Sequence, residues 1–104
     1  VRGDVYRVRS PRGARGHEQQ GSRYAVVVQS DDFEALSTWL VAPTSTSARA
    51  ATFRPVVEVN GEQTLVLAEQ TSAVDTSRLG ERVGHLGFDE LRAVDAALRL
   101  VLSV

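Results

Sequence analysis

Arg23 stands at the mouth of an apolar run, Gly21-Ser22-Arg23-Tyr24-Ala25-Val26-Val27-Val28-Gln29, and a reactive site is most readily built around it. A guanidinium is permanently charged and presents forked donors to a phosphate or carboxylate. It can grip a nonbridging oxygen and stabilise charge growing there, although it is a poor free-standing acid. The hydroxyls of Thr44-Ser45-Thr46-Ser47 could add a hydrogen bond to the same oxygens, and His17 or Glu18 could shuttle a proton. Glu69 and Gln70, at the end of another apolar stretch, are further candidates. These groups suffice for phosphodiester chemistry on RNA. There the 2′-OH is the nucleophile, and the protein need only position the phosphate, neutralise its charge and manage two protons. Each group also has a plainer reading: Arg23 as a structural ion-pair partner, the Thr/Ser run as a solvated loop, His17 as an exposed loop histidine.

Other chemistries are poorly provided for. The 104 residues contain no cysteine, which removes disulfides, thiolate metal sites and cysteine nucleophiles and fits a reducing compartment. His17 and His85 are far apart and lack a second ligand at useful spacing, and the carboxylates form no calcium-loop pattern, so an enzyme built on this chain is expected to work without a metal. No P-loop, dinucleotide fingerprint or G-x-S-x-G elbow occurs. No apolar run is long enough to span a membrane and no signal-peptide pattern opens the chain, so the expectation is a soluble cytoplasmic protein.

The net charge of −1 conceals a polarity: residues 1–54 carry eight arginines against five acids, and residues 55–104 carry four against eight. A basic first half is compatible with nucleic acid, while the overall balance excludes a histone-like cation.

The elements that must hold these groups are mostly short strands in a single domain, residues 1–104. Asp4–Arg9 alternates as a first strand. The Arg2-Gly3-Asp4 tripeptide, which resembles an integrin ligand, sits at that strand's entrance and is not expected to act as one. Ser10–Ser22 is a long polar loop carrying Arg12, Arg15, His17 and Glu18, and loops of this length in small domains are mobile or functional. Arg23–Gln29 does not alternate and should be a central strand covered on both faces. Ser37–Pro43 is a third strand, ended by Pro43 because proline cannot donate to a ladder. Phe53–Val59 and Gln63–Glu69 flank Asn60-Gly61, the strongest short-range hairpin signal. Gln70–Val74 continues or restarts a strand, Asp75 caps a single helical turn, and Arg82–Leu86 returns as a short strand. Phe88–Leu102 is the one helix, with Leu91, Val94, Leu98, Val101 and Leu102 on one face as core or dimer interface and Asp95–Arg99 as an i,i+4 pair. The fold class is mainly β with a C-terminal helix, a small strongly curved barrel.

Several segments, in order, resemble the MazF/PemK (Kid-like) toxins of type II toxin–antitoxin systems over nearly the whole chain. Arg2-Gly3-Asp4-Val5-Tyr6 is similar to that family's R-G-[DE]-[IV]-[YW] start, and Gly21–Asp31 to its G-x-R-P strand. Leu40-Val41-Ala42-Pro43-Thr44-Ser45-Thr46 resembles its V-x-[AV]-P-[IL]-T-[ST] segment, and Val66-Leu67-Ala68-Glu69-Gln70 through Val74-Asp75 its V-x-x-E-Q stretch. Arg78-Leu79, Val83-Gly84 and Leu91–Leu98 resemble its closing pattern.

The resemblance implies an SH3-like barrel homodimer and a metal-independent endoribonuclease that uses no cofactor. Such an enzyme cleaves single-stranded RNA at short sequences to 2′,3′-cyclic phosphate and 5′-OH ends. It also implies a cognate antitoxin that lays an extended acidic C-terminal segment over the RNA channel and, in complex with the toxin, binds operator DNA. By position Arg23 takes the catalytic arginine and Ser45 the catalytic threonine. Glu18 falls on a loop acid near the RNA with His17 beside it, and Arg12, Arg15, Tyr24, Thr44, Thr46, Glu69 and Gln70 fall at RNA-binding positions. Tyr24 replaces the usual proline, and Ser45 replaces threonine, losing the methyl that stiffens χ1. Two rival readings keep the same barrel: a catalytically weak or inactive antitoxin- and DNA-binding module, and a gyrase poison. The gyrase poison expects an aromatic tail that Leu100-Val101-Leu102-Ser103-Val104 lacks.

Overall fold

The valine run after Arg23 is buried on both sides: Ala25, Val26, Val27 and Val28 are 1, 0, 3 and 7% exposed, as a central strand requires. The computed structural model describes residues 1–9 and 23–104. Its strands are β1 (Asp4–Val8), β2 (Tyr24–Val27), β3 (Thr38–Ser45), β4 (Val56–Val59), β5 (Glu62–Val66), β6 (Ser72–Asp75) and β7 (Leu79–His85), followed by helix α1 (Phe88–Leu102). The antiparallel order is β4-β5-β3-β2-β1-β7, with β6 pairing to β3. No helix among the described residues is long and apolar enough to cross a membrane.

Strand β3 is the pivot. Its first half, Thr38–Val41, pairs with β6, and its last residues, Thr44 and Ser45, pair with Val66 and Leu65 of β5. The expected stop at Pro43 is therefore corrected: β3 runs through the proline to Ser45. Proline is tolerated there because it lies where β3 leaves β6 and picks up β5, and its carbonyl still accepts from the Leu67 amide at 2.8 Å. By moving from one set of partners to the other, β3 curls the sheet into a half-barrel.

Two clusters occupy the two faces of this sheet. On the inner face Val5, Val26, Ala42, Val57, Val66 and Val94 form the main core. On the other face Ala25, Val27 and Val41 form a smaller one, flanked by Tyr6, Val8, Trp39 and Val74. Helix α1 closes the inner face with Val94 and Ala97, supported by Leu91 and Leu98. The apolar stripe ends there, since Val101 and Leu102 are exposed rather than packed. The Asp95 carboxylate pairs with Arg2 at 2.7 Å, not with Arg99 as helical spacing suggested, because the chain start crosses that side of the helix. Glu90 fixes the helix entrance, one oxygen accepting from the Gly87 amide and the other from the Glu58 amide of β4, both at 2.8 Å.

The Asn60-Gly61 hairpin forms as expected, with φ of 53° and 79° and Val59 paired to Glu62. The β5 strand is shorter than expected. Residues 68–70 leave it as a 3₁₀ turn, and β6 restarts at Ser72. Asp75 caps the next turn by accepting from the Ser77 amide at 2.8 Å. Strand β7 begins earlier than expected, at Leu79, and its pairing with β1 shifts register twice.

Candidate nucleic-acid site

Arg23 and Ser45 lie just beyond the paired part of the β2–β3 ladder, at positions its register brings level. Ala25 faces Pro43, Val26 faces Ala42 and Val27 faces Val41, so the same antiparallel register carried two residues further sets Arg23 opposite Ser45. Side chains alternate along a strand. Ala25, Val27 and Val41 belong to the smaller outer cluster, so Arg23 and Ser45 share that outer face. Arg23 is half-buried and its guanidinium makes no hydrogen bond or ion pair among the described residues, while its carbonyl accepts from the Val8 amide at 2.9 Å.

The Ser45 hydroxyl is set by the chain that follows it. Its Oγ accepts from the amides of Ser47 at 3.2 Å and Ala48 at 3.0 Å. With both lone pairs engaged by the amides, the hydroxyl proton faces only the Ser47 hydroxyl, at a long 3.5 Å, and accepting two N–H bonds polarises it toward donation. A cation and an oriented hydroxyl on one face can together hold the oxygens of a phosphate.

Beside them lies a second pair that the sequence reading did not anticipate. Arg54 donates through Nε at 3.0 Å and Nη2 at 2.6 Å to Oε2 of Glu69, and through Nη1 at 2.9 Å to the Arg49 carbonyl. One guanidinium thus ties the loop leaving Ser45 to the 68–70 turn. The Arg54 hydrogen bonds hold the Glu69 carboxyl below its ordinary value against the opposing pull of burial, with smaller help from the Gln70 amide. A signal for this contact was present. The hairpin register pairs Val56 with Leu65, and the Val66 amide bonds the Pro55 carbonyl. Continued one step further, it places Arg54 opposite Leu67 and next to Glu69.

Of the other expected residues, Arg12, Arg15, His17 and Glu18 lie outside the described residues. Tyr24 and Thr44 lie on the other side of their strands. Both point to the inner face, opposite Arg23 and Ser45, because they occupy the alternate positions of their strands. Thr44 is 6% exposed and its Oγ1 donates to the Tyr24 carbonyl at 3.4 Å. The Tyr24 ring packs against the main core, with Arg7 over it at 5.5 Å and its hydroxyl accepting from Asn60 at 3.4 Å. Thr46 and Gln70 are exposed next to Ser45 and Glu69, and Glu69 is engaged by Arg54.

The Arg-Gly-Asp tripeptide is not displayed. Gly3 and Asp4 are buried, and Asp4 is held by His85 at 2.8 Å, Arg82 at 3.0 Å and the Val1 amino group at 3.1 Å, so His85 serves as an anchor for a buried carboxylate. Among the described residues no three of His, Asp and Glu converge as a metal site would require.

Known proteins similar to this chain bear on its family and its fold. The family of PemK-like, MazF-like toxins of type II toxin–antitoxin systems matches residues 1–102. A Mycobacterium tuberculosis protein, Rv3098A, named as a proposed toxin, is 40% identical over 105 residues, covering 100% of this chain and 98% of the relative. Endoribonuclease EndoA of Bacillus subtilis is 32% identical over 111 residues, covering 99% and 94%. Among solved structures, an endoribonuclease in complex with its cognate antitoxin from a mycobacterial species superposes with a TM-score of 0.81 at 17% identity, covering 100% of this chain and 95% of that one, which speaks to the fold. Matched from residue 1 to residue 102, this chain belongs to the PemK-like, MazF-like toxin family of type II toxin–antitoxin systems.

Proposed function

We propose that the protein is an endoribonuclease toxin that cleaves single-stranded RNA at selected sequences without a metal ion. The observation that supports this reading is the β2–β3 register, which, continued two residues past the Ala25–Pro43 pair, brings Arg23, without an ion-pair partner among the described residues, level with Ser45. The 2′-OH of the RNA attacks the adjacent phosphorus and its proton passes to a loop base, Glu18 or His17. Arg23 and the Ser45 hydroxyl hold the nonbridging oxygens as negative charge grows in the phosphorane. The P–O5′ bond breaks, the 5′-oxygen takes a proton from the same loop, and the products carry a 2′,3′-cyclic phosphate and a 5′-OH.

Arg12, Arg15 and Thr46 are assigned to the RNA backbone, and Glu69 and Gln70 to the bases. The protein acts in the cytoplasm, where mRNA is. A cognate antitoxin with an extended acidic segment neutralises it by covering Arg23, and the toxin–antitoxin complex binds operator DNA. Apolar surface left uncovered at Phe33, Leu36, Leu40, Leu100 and Leu102 supports a homodimer.

The test is incubation of the purified protein with a panel of single-stranded RNAs in excess EDTA, followed by end analysis of the fragments. Cyclic-phosphate ends that disappear for Arg23→Ala support the reading. RNA binding without cleavage moves the protein to a non-catalytic antitoxin- and DNA-binding role, and neither binding nor cleavage removes RNA as substrate.

A further inference from the structure

We propose that Arg54 is a positioning residue for RNA cleavage: forked onto Glu69, it holds the Arg49 carbonyl and so keeps the Ser47 and Ala48 amides on the Ser45 hydroxyl. The inference rests on the endoribonuclease reading and deepens it.

The loop after Ser45 has little of its own to hold it. Strand β3 ends at Ser45 and β4 begins at Val56, so no ladder pairs the residues between them. None of residues 46–55 is buried, and Ala48, Ala50 and Ala51 bring only methyl groups. Yet this loop supplies both donors to the Ser45 Oγ, the Ser47 amide at 3.2 Å and the Ala48 amide at 3.0 Å. A segment without pairing or burial samples many backbone conformations, and two hydrogen bonds to one hydroxyl do little to confine it.

Arg54 supplies the confinement. Its Nη1 donates to the Arg49 carbonyl at 2.9 Å, one residue beyond Ala48, while Nε and Nη2 are fixed on Oε2 of Glu69 at 3.0 and 2.6 Å. Apart from the two amides on Ser45, the hydrogen bonds that tie residues 46–54 to another element, among the described residues, are these to Glu69. The Phe53 ring backs the guanidinium at 5.4 Å. The far end of the tie is firm. On the turn that carries Glu69 the Thr71 hydroxyl donates to the Ala68 carbonyl at 2.9 Å, and the Leu67 amide just before it donates to the Pro43 carbonyl at 2.8 Å. Pro43 lies two residues before Ser45 on β3, so the path from Ser45 through Arg49, Arg54 and Glu69 returns to the strand it left. The Arg54 hydrogen bonds also hold the Glu69 carboxyl below its ordinary value, which keeps the anchor charged. A lysine, with one nitrogen on a flexible stem, lacks the planar fork that grips carboxylate and carbonyl together.

With both amides in place the acceptor sites of the Ser45 Oγ are filled, and its proton is left to turn toward a phosphate oxygen. Released from the clamp, the amides drift and the hydroxyl spreads over its staggered rotamers. The RNA still binds, but the donor is out of line when charge grows on the phosphorane, so the loss falls on turnover.

The experiment measures kcat and KM for cleavage of a single-stranded RNA in excess EDTA. The proteins are the unaltered chain, Arg54→Ala, Arg54→Lys, Ser45→Ala and the double variant Arg54→Ala with Ser45→Ala, with thermal scans to check folding. Arg54→Ala should lower kcat about tenfold at nearly constant KM, part of the roughly hundredfold loss expected when the hydroxyl itself is removed. Arg54→Lys should fall with it, and it carries the test if Arg54→Ala fails to fold. In the Ser45→Ala background the Arg54 substitution should cost less than about twofold more, because the group it positions is gone. A merely structural Arg54 would take the same factor from both backgrounds, and a cation serving the RNA backbone would raise KM and be rescued by lysine. Either result overturns the inference, as does full activity in the folded Arg54 variants. Amide hydrogen exchange on the protein alone adds a reading that needs no RNA: the Ala48 amide should exchange about tenfold faster in the folded Arg54 variants, the mark of local opening. Unchanged exchange overturns the inference and leaves the endoribonuclease reading standing. No RNA cleavage by the unaltered protein overturns that reading, and the catalytic role of Arg54 with it.

Discussion

Arg23 immediately precedes β2 and Ser45 closes β3, at positions that the β2–β3 register brings level when it is continued two residues past its Ala25–Pro43 pair, while Tyr24 and Thr44 beside them pack toward the core. Both positions continue a ladder that is buried further along, so they are anchored to the most solid part of the sheet. A donor lost from such a site is expected to lower the turnover of RNA cleavage by about a hundredfold, the scale of a single oxyanion donor. Ser45→Ala should show this loss with little change in thermal stability, because the Ser47 and Ala48 amides it leaves can turn to water. Ser45→Thr should retain activity. Equal rates for Ser45→Ala and the unaltered protein would remove the hydroxyl from the chemistry.

Thr44→Val separates the two faces. Its hydroxyl is buried and its only assigned bond is to the Tyr24 carbonyl. The substitution should lower stability by about 0.5–1 kcal/mol, the net value of one internal hydrogen bond, and leave the cleavage rate and the cut sequence alone. Denaturant unfolding with and without the substitution, beside a cleavage assay, gives both numbers. A large loss of activity at unchanged stability would bring Thr44 back into the RNA site.

The local rules carried the sequence reading a long way, and the misses share one cause. Asn60-Gly61 announced its hairpin because both residues must take positive φ, and the Leu91, Val94, Leu98 spacing announced α1 because helical period needs no partner to be visible. Pro43 was read as a strand end because its missing donor is local information, whereas its real place at the change of partners is a property of the whole sheet. Which face Thr44 and Tyr24 take is legible only once β2 and β3 are set in register, since strand alternation sends them to the side opposite Ser45 and Arg23. The Arg54–Glu69 bond needed one more step, extending the hairpin register beyond its ladder. Asp95 was paired within its helix, but a guanidinium from the chain start lies closer.

Among the described glycines, Gly3 should be the least tolerant of change. It takes φ of +94°, and a Cβ there would meet His85 Cε1 at 3.1 Å and Leu91 Cδ2 at 3.2 Å. Gly3→Ala is expected to cost about 2–4 kcal/mol, combining left-handed backbone strain with overpacking. Gly61, at φ +79°, has nothing within 4 Å of that position. Gly61→Ala should therefore cost only about 1–2 kcal/mol, the backbone term alone. Chemical denaturation of the two variants checks the order, and a Gly61 variant less stable than the Gly3 one would contradict it.

Asp4 should govern part of the acid limb of stability. Burial pushes its carboxyl up, but hydrogen bonds from His85, Arg82 and the Val1 amino group outweigh that and bring it below the ordinary value of 3.8. In the unfolded chain the group therefore binds its proton at higher pH than in the folded protein. The stabilisation is complete above the ordinary value and declines as pH falls below it. It is gone once the folded value has been passed. The Asp4 side chain is 6% exposed, whereas Arg82 and His85 are 53% and 41% exposed, so its loss strands no deeply buried cation. Asp4→Asn is expected to cost about 1–3 kcal/mol at neutral pH, the range for removing charge-assisted hydrogen bonds. It should also flatten the fall in stability below 3.8 relative to the unaltered protein. Unfolding free energies measured from pH 7 down to about 2 give both effects, since the linkage extends below the ordinary carboxylate value. Parallel acid limbs for the two proteins would show that Asp4 does not carry this term.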